Sequence, residues 1–297
     1  MNYLWQTIRF TIIALALAPT AVAQNGGLAE AAVNEFGQFI RVATDEQNRA
    51  TALQLAILSY APRQGPAEFS VDLVSAIHIG DESYYAELND RFRDYDVLLY
   101  ELVTPEGGGV PEQTSEQKSF VSNTQVAMTR ALGLSFQLDE IDYCQPNFVH
   151  ADLSSSELAR SMVDRGDFYV YFWRVVYAVI EDIAADPLGL RDWRLLVSLL
   201  EAEGDASFKT EIAYEMTRVD RLFPGGDSGS GIIGARNERA VQVLRKQLES
   251  GAKRIGIFYG AAHMPDLEQR LVTELGLKHR ETTWIDAWKL GTSVSPP

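Results

Sequence analysis

The chain has 297 residues, 46% of them hydrophobic and 23% charged, with 22 glycines, 11 prolines and 10% aromatics. That balance excludes collagen, a disordered chain and a disulfide-dense miniprotein, and the length suits one large α/β domain or two small ones. A net charge of −15, from 26 Lys and Arg against 41 Asp and Glu, repels phosphate backbones and anionic lipid surfaces, so no nucleic acid partner is expected.

Residues 1–9 carry one charge, Arg9, and lead into the apolar stretch Phe10–Ala18. Pro19 then precedes Ala21-Val22-Ala23, with polar Gln24-Asn25-Gly26-Gly27 beyond. A short apolar region closed by a small-x-small site reads as a secretory signal peptide, residues 1–23, cleaved after Ala23. A membrane anchor is the competing reading, but about nine apolar residues fall well short of the ~20 of a spanning helix. Residues 24–297 are therefore expected to be periplasmic or secreted, with no stable membrane anchor.

Next come the strand signals. Leu53–Tyr60 is apolar and ends before Ala61-Pro62, and Phe69–Ile77 is expected to pair with it as a hairpin across Arg63–Ala67. Asp96–Leu102 and Arg254–Tyr259 are continuous apolar runs, the pattern of strands buried on both faces in a parallel sheet. A fifth strand is expected near Thr283–Trp288.

Helical patterns fill the gaps. Ser83–Arg93 places Tyr85, Leu88 and Phe92 on one face after a possible cap at Asp81. Helices are also expected over 113–133, 153–164, 167–203, 206–222, 265–275 and Arg236–Ser250, the last ending at Gly251. Gly107–Gly109 and 224–231 read as loops. Cys144 excludes an internal disulfide and a Cys-rich zinc site, and a buried or half-buried place is expected for it. The fold class is α/β: a mostly parallel central sheet with an N-terminal hairpin and a large helical insertion at about 110–225. One domain is expected over 24–290, followed by a flexible tail, 291–297.

Three residues fall at one place in such a sheet. His78 follows the strand ending at Ile77, Glu101 ends the run DVLLYEL, and His263 comes just after RIGIFYG. Sites in open α/β sheets form outside the carboxyl ends of parallel strands, and one intervening helix puts the strands before His78 and Glu101 side by side or one apart. Two imidazoles and a carboxylate match the N/N/O ligand set of a catalytic divalent metal. The competing reading is structural: a hydrogen-bonded strand-end His, and a Glu that accepts from a helix N-terminus.

Ser75-Ala-Ile-His78 with Ile79-Gly80, then Tyr100-Glu101-Leu102, Arg236-Asn237-Glu238-Arg239 and Gly260-Ala-Ala-His263 resemble, in order, the motif series of the TraB/PrgY/GumN family, which includes the Tiki proteases. Ser75 departs from it, standing where the first GxxH motif has Gly. The resemblance covers roughly residues 50–290 and implies a fold distantly similar to erythromycin-esterase-like and ChaN-like proteins. It implies His78, Glu101 and His263 as the catalytic or metal-binding set, with Mn, Co, Fe or Zn as the ion. It also implies Arg236 and Arg239 beside the site, with Asn237 next to them. Such arginines clamp a substrate carboxylate or stabilise an oxyanion; a structural salt bridge to Glu101 or another acid is the alternative.

Other residues carry weaker signals. Tyr84-Tyr85 lie close enough to His78 to line a pocket, Tyr85 as a substrate contact, with core packing as the alternative. Asp152, ahead of Leu153-Ser-Ser-Ser-Glu157, reads as a helix N-cap, His150 as a surface or core histidine, and His279 as solvent-facing. Three functions follow: an exported metal-dependent hydrolase, most simply a peptidase; a metal-free hydrolase with a histidine base; or a protein that captures peptides without cutting them. The expected partner is a peptide or small-molecule substrate, and the sequence leaves the oligomeric state open.

Overall fold

Four parallel strands make the frame on which the site is built. The computed structural model describes residues 38–64, 68–104, 133–164, 206–217 and 231–291. The strands are β1 (Ile40–Thr44), β2 (Ala50–Pro62), β3 (Ser70–Ala76), β4 (Ile79–Gly80), β5 (Val97–Tyr100), β6 (Ser135–Phe136), β7 (Phe148–His150), β8 (Arg254–Gly260) and β9 (Leu277–Lys289). The helices are α1 (Glu82–Phe92), α2 (Gln137–Glu140), α3 (Ser155–Asp164), α4 (Ala206–Met216), α5 (Gly231–Glu249) and α6 (Met264–Glu274).

The sheet is antiparallel at one side and parallel at the other. β9 runs antiparallel along β2 from Ala52 to Pro62. The other edge of β2 is shared, with β1 opposite Ala50–Leu55 and β3 opposite Ile57–Tyr60. From β3 the order continues β8, β5, β7, every pair parallel. The mostly parallel sheet and the antiparallel N-terminal hairpin are thus as the sequence indicates. β8 lies between β3 and β5, so the strands before His78 and Glu101 stand one apart.

The continuous apolar runs are explained by burial on both faces. In β3, β5 and β8, Val74, Leu98 and Phe258 face a cluster containing Tyr84, Tyr85, Leu88 and Phe92 of α1. Their neighbours Leu73, Leu99 and Ile257 face the opposite cluster, with Ala240 and Leu244 of α5 and Leu267 and Leu271 of α6. Each such side chain contributes about 1.5–3 kcal/mol on leaving water, so successive residues of one strand hold helices on opposite faces. Gly256 lets this closure happen. A Cβ there would lie 2.5 Å from Leu98 Cδ1 and 2.9 Å from Tyr95 Cε2.

Some boundaries differ from expectation. β9 starts at Leu277, well before Thr283, because its whole length has β2 as a partner. α5 starts at Gly231 rather than Arg236, and Gly234 and Ala235 are both buried. β7 falls inside the region expected as a helical insertion, yet it is the strand beside β5. Strands of two to five residues such as β1, β4, β6 and β7 are too short to show a period. Cys144 is exposed rather than buried. The leader, the helix at 167–203, Gly107–Gly109 and almost all of 113–133, 224–231 and the tail lie outside the described residues. Among the described residues, no helix is long and apolar enough to cross a membrane.

Candidate active site

The site is assembled where β3, β5, β7 and β8 end and the chain turns away from the sheet. Glu101 directly follows β5, and His78 comes two residues after β3. β8 passes into a short 3-10 turn, Ala261–His263, which opens into α6 with Pro265 in its first turn. β7 is followed by Ala151 and Asp152, and α5 carries Arg236 and Asn237 side by side.

Arg236 is the hub. Its Nε donates to Asp152 Oδ1 at 2.9 Å, and its Nη2 donates to Asp152 Oδ2 at 2.5 Å and Glu101 Oε1 at 2.6 Å. Its Nη1 lies 3.4 Å from His263 Nε2. The backbone N–H of Gly260 donates to Glu101 Oε2 at 2.7 Å, so both oxygens of that carboxylate are held. Asp152 is not the helix cap its position suggests; Ser154 and Glu157 do that. Ser154 N–H donates to Glu157 Oε2 and Glu157 N–H to Ser154 Oγ, a reciprocal capping box that leaves Asp152 to Arg236.

His263 is fixed from behind. The residue is 5% exposed, and its ring sits edge-on to Tyr259 and places Nδ1 2.6 Å from Asn237 Oδ1. The Asn237 amide is itself oriented, because Nδ2 donates to the His263 carbonyl at 3.1 Å and to Asp266 Oδ2 at 2.8 Å. An amide oxygen accepts only, so Nδ1 of His263 carries a proton, and in the neutral ring Nε2 keeps its lone pair. Arg236 Nη1 lies 3.4 Å from Nε2, and Glu101 Oε1 lies 3.6 Å away.

The charges of the pair are set by these contacts. Burial pushes His263 below its ordinary 6.5, with Arg236 adding to the effect and Glu101 and Asp152 opposing it. Burial disfavours the Glu101 carboxylate too. The His263 ring (an imidazolium by the pH at which Glu101 titrates), Arg236 and the Gly260 N–H outweigh it and hold Glu101 at about 2, against an ordinary 4.5. Both groups bind protons more weakly folded than unfolded, so each stabilises the fold at high pH and loses that contribution on acidification. The His263 contribution is expected to fade as pH falls from 6.5, and that of Glu101 between 4.5 and about 2. Urea midpoints measured from pH 7.5 to 3 check this. The midpoint should fall in both windows, and His263→Gln should remove the upper one.

Not every residue read from the sequence joins this cluster. Glu101, His263 and Arg236 touch one another, and His78 is exposed on the wall of the cavity that Glu101 and Arg236 also line. Arg239 is turned to Glu157 of α3, at 2.6 Å, and ties α5 to that helix. Tyr85 is fully buried and donates to the Ile77 carbonyl at 3.0 Å, which places it in the core beneath the site. Asn237 is also fully buried and acts on His263 rather than on a ligand. Ser75 is buried in β3 opposite Tyr259, its Oγ without a partner among the described residues. His150 Nε2 bonds the Leu102 carbonyl at 2.6 Å, and the exposed His279 bonds Thr282 Oγ1.

A divalent metal on His78, Glu101 and His263 does not fit this arrangement. The Arg236 guanidinium lies 2.6 Å from Glu101 Oε1 and 3.4 Å from His263 Nε2, a cation where two of the ligands would meet the ion. Among the described residues, no group of three His, Cys, Asp or Glu side chains is placed to hold one.

The cavity has a volume of about 200 Å³. Besides His78, Glu101 and Arg236, its wall includes Phe136, Gln137 and Leu138 from the β6–α2 segment. No family model, curated protein or solved structure matches the chain.

Proposed function

We propose that the protein is an exported hydrolase that cleaves peptide bonds with His263 as its general base and Arg236 as its oxyanion donor. The observation that carries this reading is the His263–Asn237 hydrogen bond, which puts the proton of the neutral imidazole on Nδ1 and its lone pair on Nε2, beside an arginine and a carboxylate. The motif series that resembles the TraB/PrgY/GumN family, and the signal-peptide pattern at 1–23, support hydrolysis outside the cytoplasm.

The step proceeds on side chains alone. The Nη1–H of Arg236 that faces Nε2 in the resting site turns away from it, and Nε2 then takes a proton from water as the water oxygen bonds to the substrate carbonyl carbon. The carbonyl oxygen becomes an oxyanion, and an N–H of Arg236 Nη1 meets it. Of the five guanidinium N–H bonds, the other Nη1–H faces His263 in the resting site and the remaining three go to carboxylates. Glu101 stabilises the imidazolium formed, the C–N bond breaks, and the imidazolium returns its proton to the leaving amine. The products are a carboxylic acid and an amine. Asp152 keeps Arg236 in place through this sequence, and Asn237 keeps the imidazole in its tautomer.

The test is incubation of the purified protein with a randomised peptide pool, with and without exhaustive chelation, followed by mass spectrometry. Cleavage that survives chelation and is lost in His263→Gln is the expected result. Cleavage that stops on chelation and returns with Mn, Co, Fe or Zn would restore the metal-dependent reading. Peptide retained intact would make this a sequestering protein.

A further inference from the structure

The β6–α2 segment contributes an unanswered polar atom to the site. Gln137 is 7% exposed and lines the cavity. Its backbone N–H donates to the His78 carbonyl at 2.9 Å, which fastens this wall to the end of β3. Its side-chain Nε2 donates to the buried Tyr143 hydroxyl at 2.7 Å, which orients the amide. Its Oε1 is buried with no hydrogen-bond partner among the described residues. A buried acceptor left without a donor costs about 1–3 kcal/mol, so a residue that keeps one on a cavity wall is suited to a ligand that brings the donor.

The charge of the site says which donor. Glu101 and Asp152 set two carboxylates against the single Arg236 guanidinium, leaving one negative charge beside the cavity in a chain of net charge −15. An incoming cation with N–H bonds answers both the charge and the orphaned oxygen. A cavity of about 200 Å³, below the usual range of ~300–1,000 Å³ for whole-ligand pockets, has room for one end group of a larger ligand.

We infer that Gln137 Oε1 and the Glu101 carboxylate form a subsite for a primary ammonium group, so that the protein acts on peptides at their free amino terminus. The inference rests on the hydrolase reading for the word "acts". The subsite itself rests on Gln137 and the charge of the cluster.

The probe is a randomised hexapeptide pool in two forms, with a free amino terminus and Nα-acetylated. Retention is measured by equilibrium dialysis on the His263→Gln protein, so that peptide is not consumed, and cleavage is measured on the wild-type protein. Free peptides are expected to be retained about 10- to 100-fold better than acetylated ones, the share of one hydrogen bond to a charged group. Gln137→Leu should lower that ratio, while Gln137→Glu, which keeps the acceptor and adds charge, should raise it. Equal retention of the two forms, retention of neither, or a ratio that Gln137→Leu does not lower or Gln137→Glu reduces would overturn the inference. Discrimination without cleavage would remove the hydrolase reading and leave the ammonium subsite standing. Cleavage without discrimination would do the reverse.

Discussion

Replacing His263 by glutamine is expected to lower kcat/KM for peptide hydrolysis by about 10²- to 10⁴-fold, the contribution of a positioned general base. The effect should fall on kcat, because a base that meets the water in the transition state adds little to ground-state binding. Glutamine keeps a group able to donate to Asn237 Oδ1, so the fold should survive, and circular dichroism with a urea titration checks that. The remaining wild-type signature is the pH profile. Activity should rise with pH to a plateau, with its midpoint below 6.5 because burial depresses the His263 pKa. An undiminished rate in His263→Gln would end the general-base assignment.

Asp152→Ala is expected to be the most destabilising single change in the site, at about 3–5 kcal/mol, the usual cost of removing one partner of a buried ion pair. The Asp152 side chain is fully buried, that of Arg236 is 11% exposed, and the two are joined by two hydrogen bonds. The loss also frees the Leu153 N–H, which donates to Asp152 Oδ1 at 2.7 Å. Glu101 still holds Arg236 from the other side, so the guanidinium is not left wholly unpaired. Urea unfolding of Asp152→Ala, Arg236→Met and the double variant measures the coupling. The double variant should cost clearly less than the two single changes added together, because both remove the same interaction. Strict additivity would show that the pair contributes little.

What the sequence disclosed here followed from periodicity and from the ends of strands. Runs such as VLLY and IGIFY are apolar because both sheet faces are covered, and that pattern marks the parallel strands in the sequence. Glu101 stood out for the same reason, as an acid closing a fully buried run. Asp152 was the residue missed, since an Asp before a helix is ordinarily a cap. The signal that separates the two roles was present in the sequence. Ser154 and Glu157 form a complete capping box by themselves, so Asp152 had no capping task and was free for a partner 84 residues away. The fate of Arg239 was not legible, because Arg236 and Arg239 share a helix face and distant acids decide which one enters the site. The same holds for Tyr85, whose hydroxyl is taken by a backbone carbonyl eight residues earlier. β7 was hidden by its length of three residues. Its place in the sheet is set by its partner β5, not by any pattern of its own.

The central claim is that His263 is a neutral imidazole with its proton on Nδ1 and its lone pair on Nε2. The most direct test is a long-range 1H–15N correlation spectrum of the labelled protein at pH 7. The chain has four histidines, so the His263 signals are those that vanish in His263→Gln. A protonated Nδ1 and an unprotonated Nε2 are the expected result. A proton on Nε2, or a doubly protonated ring at this pH, would contradict the account.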